Sequence, residues 1–169
     1  AGIGVPTADG LTPSEQLAEI RPRVIQHLHQ LERAHIDRLQ PALDEAGVRL
    51  AQWIDLDAEE RVAVGIEFER RIFPVLTPLA VDPGHPFPYI SGLSLNLAVV
   101  LKNPKDQTEH FARVKVPPLL PRFVLVPGAE SRYVPLEDVM GEFLGELFPG
   151  MQVLQHHIFR VTRNEDLEV

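Results

Sequence analysis

Apolar residues recur every three or four positions along the first part of the chain, which is typical of one face of an α-helix. This run predicts a helix over residues 13–39. Thr12 and Ser14 are both suitable N-caps, and the intervening proline is tolerated in a first helical turn. The predicted apolar face contains Leu17, Ile20, Val24, Leu28, Leu31, Leu39 and, beyond the helix, Leu43.

Prolines and glycines divide the remainder of this helical part. Pro41 predicts a break, because an interior proline loses a backbone hydrogen bond and clashes with the preceding turn. A short second helix over 41–46 is then expected to end at Gly47. A third helix is predicted over 58–72, although Gly65 within it is unfavourable for a helix.

The segment over 72–97 combines prolines with apolar residues. Five prolines fall between Pro74 and Pro88, and each fixes its own φ and favours an extended residue before it. Flexible linkers are polar, so this composition instead predicts a rigid, extended connection lying over a core and ending in a turn at Ser91 and Gly92.

Alternating residues and turn signals predict a sheet in the second half of the chain. A helix is expected over 133–148, because its apolar positions form one broad stripe. The predicted strands cover 93–102, 110–116, 122–126 and 153–162. Helices followed by strands predict an α+β fold, with an N-terminal helical segment and a mostly antiparallel sheet packed with helices in two layers. We expect a boundary that separates residues 1–54 from residues 55–169.

Composition narrows the possible function classes. The 169 residues contain 44% hydrophobic and 24% charged residues, as in ordinary globular proteins. A net charge of −8 argues against a nucleic-acid surface, and no apolar run reaches the ~18 residues of a membrane span. The chain has no cysteine, so disulfides, thiolate metal sites and cysteine nucleophiles are excluded.

Few residues of this sequence are candidates for catalysis or for ligand binding. The seven histidines lack the spacing of a metal site, and neither a nucleophile elbow nor a phosphate-binding loop is present, so we assign no catalytic or metal-binding residue. Arg160 and Arg163 are the candidate phosphate-binding residues, although pairing with nearby acids is the alternative. Gly141 and Gly145 predict a flat helical patch, used either for packing on the sheet or as an oligomer contact.

Several segments resemble one enzyme family in the same order. FPVLTPLAVDPGHPFPYISGLSLNLAV, PRFVLVP, YVPLEDVMGEFLGELFPGM and HHIFRVTRNEDLEV are similar to the middle, or head, domain of the long-chain polyphosphate kinases. Residues 14–71 resemble the end of that family's helical N-terminal domain. The resemblance implies that 1–54 is the last part of the helical domain, and that 55–169 is a head domain incomplete at its C-terminus.

The resemblance also implies a function for the parent protein. Such kinases reversibly transfer the terminal phosphate of ATP to inorganic polyphosphate through a phosphohistidine, with magnesium, in domains that this chain lacks. None of the histidines here matches the catalytic ones, so the chain itself is expected to be inactive and to bind no cofactor. Its expected roles are dimerisation and lining of the phosphate tunnel, in a cytoplasmic homo-oligomer, with peripheral membrane association left open. The alternative is a stand-alone α+β interaction module.

Overall fold

The computed structural model describes residues 8–81 and 89–162. The chain divides into two compact units, Ala1–Arg49 and Leu50–Val169. Each unit is described by itself below.

The first unit is helical. Helix α1 (Pro13–Ala34) begins with a capping box, in which Thr12 and Glu15 accept each other's backbone N–H groups. A π-helical turn (His35–Leu39) and α2 (Gln40–Glu45) continue it without a gap. The predicted break at Pro41 is therefore wrong.

The π turn explains how Pro41 is accommodated. In this wider turn the N–H of Gln40 donates to the carbonyl of His35, five residues earlier. Pro41 consequently stands in the first turn of α2, where its missing N–H is not required. The helix ends as predicted, because Gly47 adopts a φ of +78° and donates to the carbonyl of Asp44.

A four-stranded sheet forms the centre of the second unit. Its strands are β2 (Pro78–Val81), β3 (Leu95–Lys102), β4 (Glu109–Lys115) and β7 (Gln152–Arg160). The order is β2-β4-β3-β7 and every pairing is antiparallel. Three of these strands confirm the predicted ones. The strand β2 was not predicted: Pro78–Val81 of the proline-rich segment pair with β4. Residues 82–88 of that segment lie outside the described part.

A second, smaller sheet has the order β1-β6-β5, with β1 at Arg49–Leu50, β5 at Phe123–Leu125 and β6 at Arg132–Pro135. The predicted helix over 133–148 is wrong at its start, because Tyr133 to Pro135 pair with β5 instead. Helix α4 (Leu136–Glu142) follows directly, and α5 (Leu144–Leu147) is separated from it at Phe143, whose φ of −98° and ψ of 14° leave the helical region.

The helices of the second unit cover one face of its four-stranded sheet, which confirms the two-layer α+β fold. Helix α3 (Ala58–Glu67) continues into a π turn (Phe68–Ile72), so the predicted third helix is confirmed in extent. Short 3₁₀ turns precede and follow it, at Trp53–Asp55 and Phe73–Val75. The core joins the sheet to α3, α4 and α5, and its members include Val64, Phe68, Leu97, Val99, Val114, Met140 and Leu144.

Three aromatic rings pack against one another in this core. Phe68 stacks on Phe143 with ring centroids 4.5 Å apart, and Trp53 meets Phe143 edge-on at 5.5 Å. Gly65 makes room for them, since a Cβ there would lie 3.2 Å from Cζ of Phe143. This close approach explains why α3 contains a glycine despite its poor helix propensity.

Candidate functional site

Of the two arginines predicted to bind phosphate, Arg160 belongs to the described part of the chain. Arg160 is the last residue of β7, is exposed, and is paired in register with Leu95. By strand alternation its side chain lies on the same face as those of His156 and Ile158. Arg163 lies outside the described residues.

The two glycines predicted as an oligomer contact do not share one regular helix, because Gly141 belongs to α4 and Gly145 to α5. Gly141 packs under the ring of His156, where an added Cβ would lie 2.7 Å from Nε2. Gly145 is exposed, and an added Cβ there would meet no atom within 4 Å. An oligomer contact at these glycines remains a prediction.

Asp138, in the first turn of α4, is the titratable group most affected by this part of the fold. Burial raises the pKa of Asp138 above its ordinary value, and the charge of Glu137 raises it further. The nearby His156 acts in the opposite direction. Glu137 itself forms an ion pair with Arg122. Among the described residues, no three His, Asp or Glu side chains are grouped closely enough to hold a metal ion.

An apolar hollow of about 480 Å³ lies beside the outer strand of the smaller sheet. Phe123, Leu125, Leu120 and Tyr133 contribute to its lining, and its charged pair is Arg71 with Glu67, at 2.9 Å. Its apolar character does not suit a phosphate compound. No helix in the part of the chain that the structure describes is long and apolar enough to cross a membrane.

The four-stranded sheet has a second face, directed away from the core, which the sequence analysis missed. Ala112 and Val114 of β4 belong to the core, so Arg113 between them points to the opposite face. Its side chain is nevertheless only 8% exposed, and its Nε has no hydrogen-bond partner. Asn96 of β3 is fully buried at 0% exposure on the same face.

A signal for this face was present in the sequence. In β4 the residues Glu109, Phe111, Arg113 and Lys115 alternate with His110, Ala112 and Val114, so the charged residues share one side of the strand. The burial of Arg113 was not predictable, since it depends on how the neighbouring strands and loops are placed.

Comparison with known proteins identifies the family. The family model for the polyphosphate kinase middle domain matches residues 59–169. The polyphosphate kinase of Streptomyces coelicolor is 54% identical over 168 residues, which cover 99% of this chain and 22% of that protein. The polyphosphate kinase of Mycobacterium tuberculosis (strain H37Rv) is 48% identical over 181 residues, covering 99% of this chain and 24% of that protein. The chain belongs to the polyphosphate kinase family.

A solved structure agrees with this assignment. The crystal structure of polyphosphate kinase from Porphyromonas gingivalis matches with a TM-score of 0.80 and 31% sequence identity, over 92% of this chain and 25% of that one. The chain therefore spans about a quarter of the length of the polyphosphate kinases that it matches. The residues of the family's middle domain include both the face that carries Arg113 and the strand that carries Arg160.

Proposed function

We propose that the whole protein containing this chain reversibly transfers the terminal phosphate of ATP to inorganic polyphosphate through a phosphohistidine. The observation that carries this proposal is the match of residues 59–169 to the polyphosphate kinase middle domain, supported by relatives with that name at 48% and 54% identity. An unrelated interaction module would not be expected to give such a match.

Within that protein, this chain supplies a non-catalytic part that contributes to dimer contacts and lines the path of the phosphate chain. Phosphoryl transfer depends on metal ions that bridge the phosphates and on a positioned acceptor. Because this chain spans about a quarter of the length of the polyphosphate kinases that it matches, we propose that ATP, magnesium and the phosphorylated histidine belong to other parts of the whole protein. A cytoplasmic location stays a prediction.

Arg160 is the described residue that best suits contact with the phosphate chain. Its guanidinium is exposed at the end of β7 and can donate two parallel hydrogen bonds to phosphate oxygens. Arg163 is the second candidate, and lies outside the described residues.

The proposal is tested with the full-length protein, magnesium and ATP labelled at its terminal phosphate. We expect label in a polymer resolved by gel electrophoresis, together with protein-bound label that is stable to alkali and labile to acid, as a phosphohistidine is. Hydrolysis of ATP without polymer would contradict the proposed reaction. Polymer formed without protein-bound label would contradict the proposed intermediate.

A further inference from the structure

The outer edge of the smaller sheet is open. Among the described residues, β5 pairs with β6 on one side and with no strand on the other. Antiparallel strands alternate between positions whose backbone groups bond across the pair and positions whose groups point away from it. In this pair the N–H of Val126 donates to the carbonyl of Arg132 at 2.8 Å. Val124 occupies the next bonded position, so the N–H and C=O groups of Phe123 and Leu125 point outward.

The apolar hollow of about 480 Å³ lies along this open edge. All three residues of β5 contribute to its lining, although successive side chains of a strand point to opposite faces. The hollow therefore lies beside the strand and not on one of its faces. The π turn that follows α3 contributes Arg71 and Ile72 to the lining. We call this space, between β5 and the π turn, the β5 slot.

The side chains at the β5 slot are apolar and incompletely covered. Phe123 and Leu125 are 45% and 44% exposed, and Leu119, in the turn that leads to β5, is 95% exposed. The charged residues of the lining are Arg71 and Glu67, which form an ion pair at 2.9 Å and so cancel each other's charge. An open strand edge beside exposed apolar side chains can pair with other extended chains, and natural proteins usually cover it.

The form of the β5 slot favours an extended peptide over a small molecule. Pockets for small molecules bury most of the ligand's surface and fix it with a few convergent polar groups. Here the unpaired polar groups are backbone N–H and C=O groups along one strand, which is the arrangement by which a sheet accepts an additional strand. Side chains at alternate positions of that strand would then fill the hollow.

The small size of the edge indicates that its occupant is tethered. A three-residue strand and one hollow offer far less than the ~1,200 Å² that a stable interface between separate proteins buries. A contact of this size becomes populated when both parts belong to one polypeptide, because tethering raises the effective concentration. Since this chain spans about a quarter of the polyphosphate kinases that it matches, most of such a polypeptide can supply the segment.

We propose that an extended, mainly apolar segment of the same polypeptide, from outside residues 1–169, pairs with β5 as an added strand and fills the β5 slot. Its backbone bonds to the outward N–H and C=O groups of Phe123 and Leu125, and its apolar side chains enter the hollow. The contact attaches this middle domain to another part of the kinase. The proposal rests on the family of the chain and not on the proposed reaction, so the two can fail separately.

The test places a photo-crosslinking amino acid, p-benzoylphenylalanine, at Phe123 of the full-length protein. Irradiation joins this side chain to the peptide that lies in the β5 slot, and mass spectrometry of a digest identifies that peptide. Unlabelled and isotope-labelled protein, mixed and allowed to exchange subunits, distinguish links within one molecule from links between two. We expect joined peptides from outside residues 1–169, with the same isotope composition in both parts.

Matched variants connect the cross-link with the β5 slot. Leu125→Lys brings a charge into the slot and should lower the yield of the cross-link about tenfold, because burying an unpaired charge is costly. Leu125→Ala should lower the yield less, and carries the test if Leu125→Lys does not fold. Leu154→Lys is the control: Leu154 lies on the edge strand β7 and is 42% exposed, against 44% for Leu125. This variant should give the wild-type yield.

Three results would overturn the proposal. The first is an absence of cross-links to any residue outside 1–169. The second is a joined peptide of mixed isotope composition, which would assign the β5 slot to a second copy of the protein. The third is a yield that neither Leu125→Lys nor Leu125→Ala lowers. The experiment uses no ATP, so its outcome is separate from that of an assay of polyphosphate synthesis.

Discussion

Arg132 and Glu60, 72 positions apart in the sequence, form an ion pair that ties β6 to the first turn of α3. Nη1 of Arg132 donates to both carboxylate oxygens of Glu60, at 2.7 and 2.9 Å, and Nη2 donates to the carbonyl of Asp55 at 2.6 Å. Glu60 also accepts the backbone N–H of Asp57, the N-cap of α3. One guanidinium therefore holds together a strand, a helix start and the preceding 3₁₀ turn.

Replacement of Arg132 should destabilise the second unit. Arg132→Ala leaves the partly buried carboxylate of Glu60 without its cation, which should cost about 2 kcal/mol of unfolding free energy. Arg71→Ala is the control, since its pair with Glu67 is an exposed i,i+4 pair worth about 0.5 kcal/mol or less. Urea unfolding followed by circular dichroism measures both. Equal losses in the two variants would contradict the role assigned to Arg132.

Replacement by alanine should lower the stability of the protein at Gly65 and raise it at Gly145. Alanine at Gly65 places its methyl against Phe143, whose ring is held by Phe68 and Trp53, so we expect a net loss of about 1 kcal/mol. Alanine at Gly145 enters open space and should gain up to about 1 kcal/mol from helix propensity. Thermal unfolding of the two variants tests this. A Gly65→Ala variant that is more stable than wild type would contradict this expectation, because it would show that the Phe143 ring can shift to accommodate the methyl group.

Substitution of Gly145 can test self-association without disturbing the fold, because an added side chain there meets no atom within 4 Å. Gly145→Leu adds a bulky side chain that meets nothing within this chain, so folding should be retained while dimers of the full-length protein are weakened. Sedimentation velocity over a concentration series measures the effect. Gly141→Leu is not a suitable control, because its side chain would collide with His156. An unchanged sedimentation profile for Gly145→Leu would remove this glycine from the dimer contact.

Asp138 should make stability fall as the pH rises. Burial and the charge of Glu137 raise the pKa of Asp138 in the folded state above 3.8, so the folded state binds this proton more tightly than the unfolded one. Stability contributed by the protonated form is present below 3.8 and is lost as the pH rises through the folded-state pKa. Asp138→Asn, which has no charge to bury, should be more stable than wild type at about pH 7 and equal to it at about pH 3.

Asp106 should have the opposite effect on the pH dependence of stability, because its pKa is lowered in the folded state and not raised. The hydroxyl and N–H of Thr108 donate to its carboxylate and hold the pKa of Asp106 below 3.8. Asp106→Asn should therefore lower stability at about pH 7, with the difference vanishing toward acid. Urea unfolding of both variants at the two pH values checks the pair. Changes of the same sign would contradict the environments assigned to these carboxylates.

Arg160 is expected to affect polyphosphate more than ATP. Arg160→Ala in the full-length protein should raise the apparent binding constant for long polyphosphate more than that for ATP, and should reduce its dependence on salt, because one cation fewer contacts the phosphates. Arg163→Ala is measured in parallel. Wild-type behaviour of both variants across a salt series would make the two arginines structural.

The sequence allowed prediction of features whose causes are local. The start of the first helix next to Thr12, the end of the second at Gly47 and the strand β3 are each determined within a few residues. The strands β2 and β6 were missed because their hydrogen bonds depend on partners distant in the sequence. In β6, the apolar residues shared with the following helix concealed the change from strand to helix at Pro135.

The candidate site was less predictable for the same reason. Arg160 was identified by its residue type, and its exposure at the end of β7 agrees with a binding role without testing it. Arg113 was overlooked because a charged residue in an amphipathic strand is normally solvated. Its burial follows from the placement of the chain around the sheet, and residue spacing does not contain that information.

The most direct test of the account compares the 169-residue chain with the full-length protein in one assay of polyphosphate synthesis from ATP. We expect the full-length protein to form polyphosphate, and the chain alone to show no turnover above background. Turnover by the purified chain that is abolished by chelation of magnesium would contradict the non-catalytic role proposed for it. Absence of synthesis by a folded full-length protein would contradict the proposed activity itself.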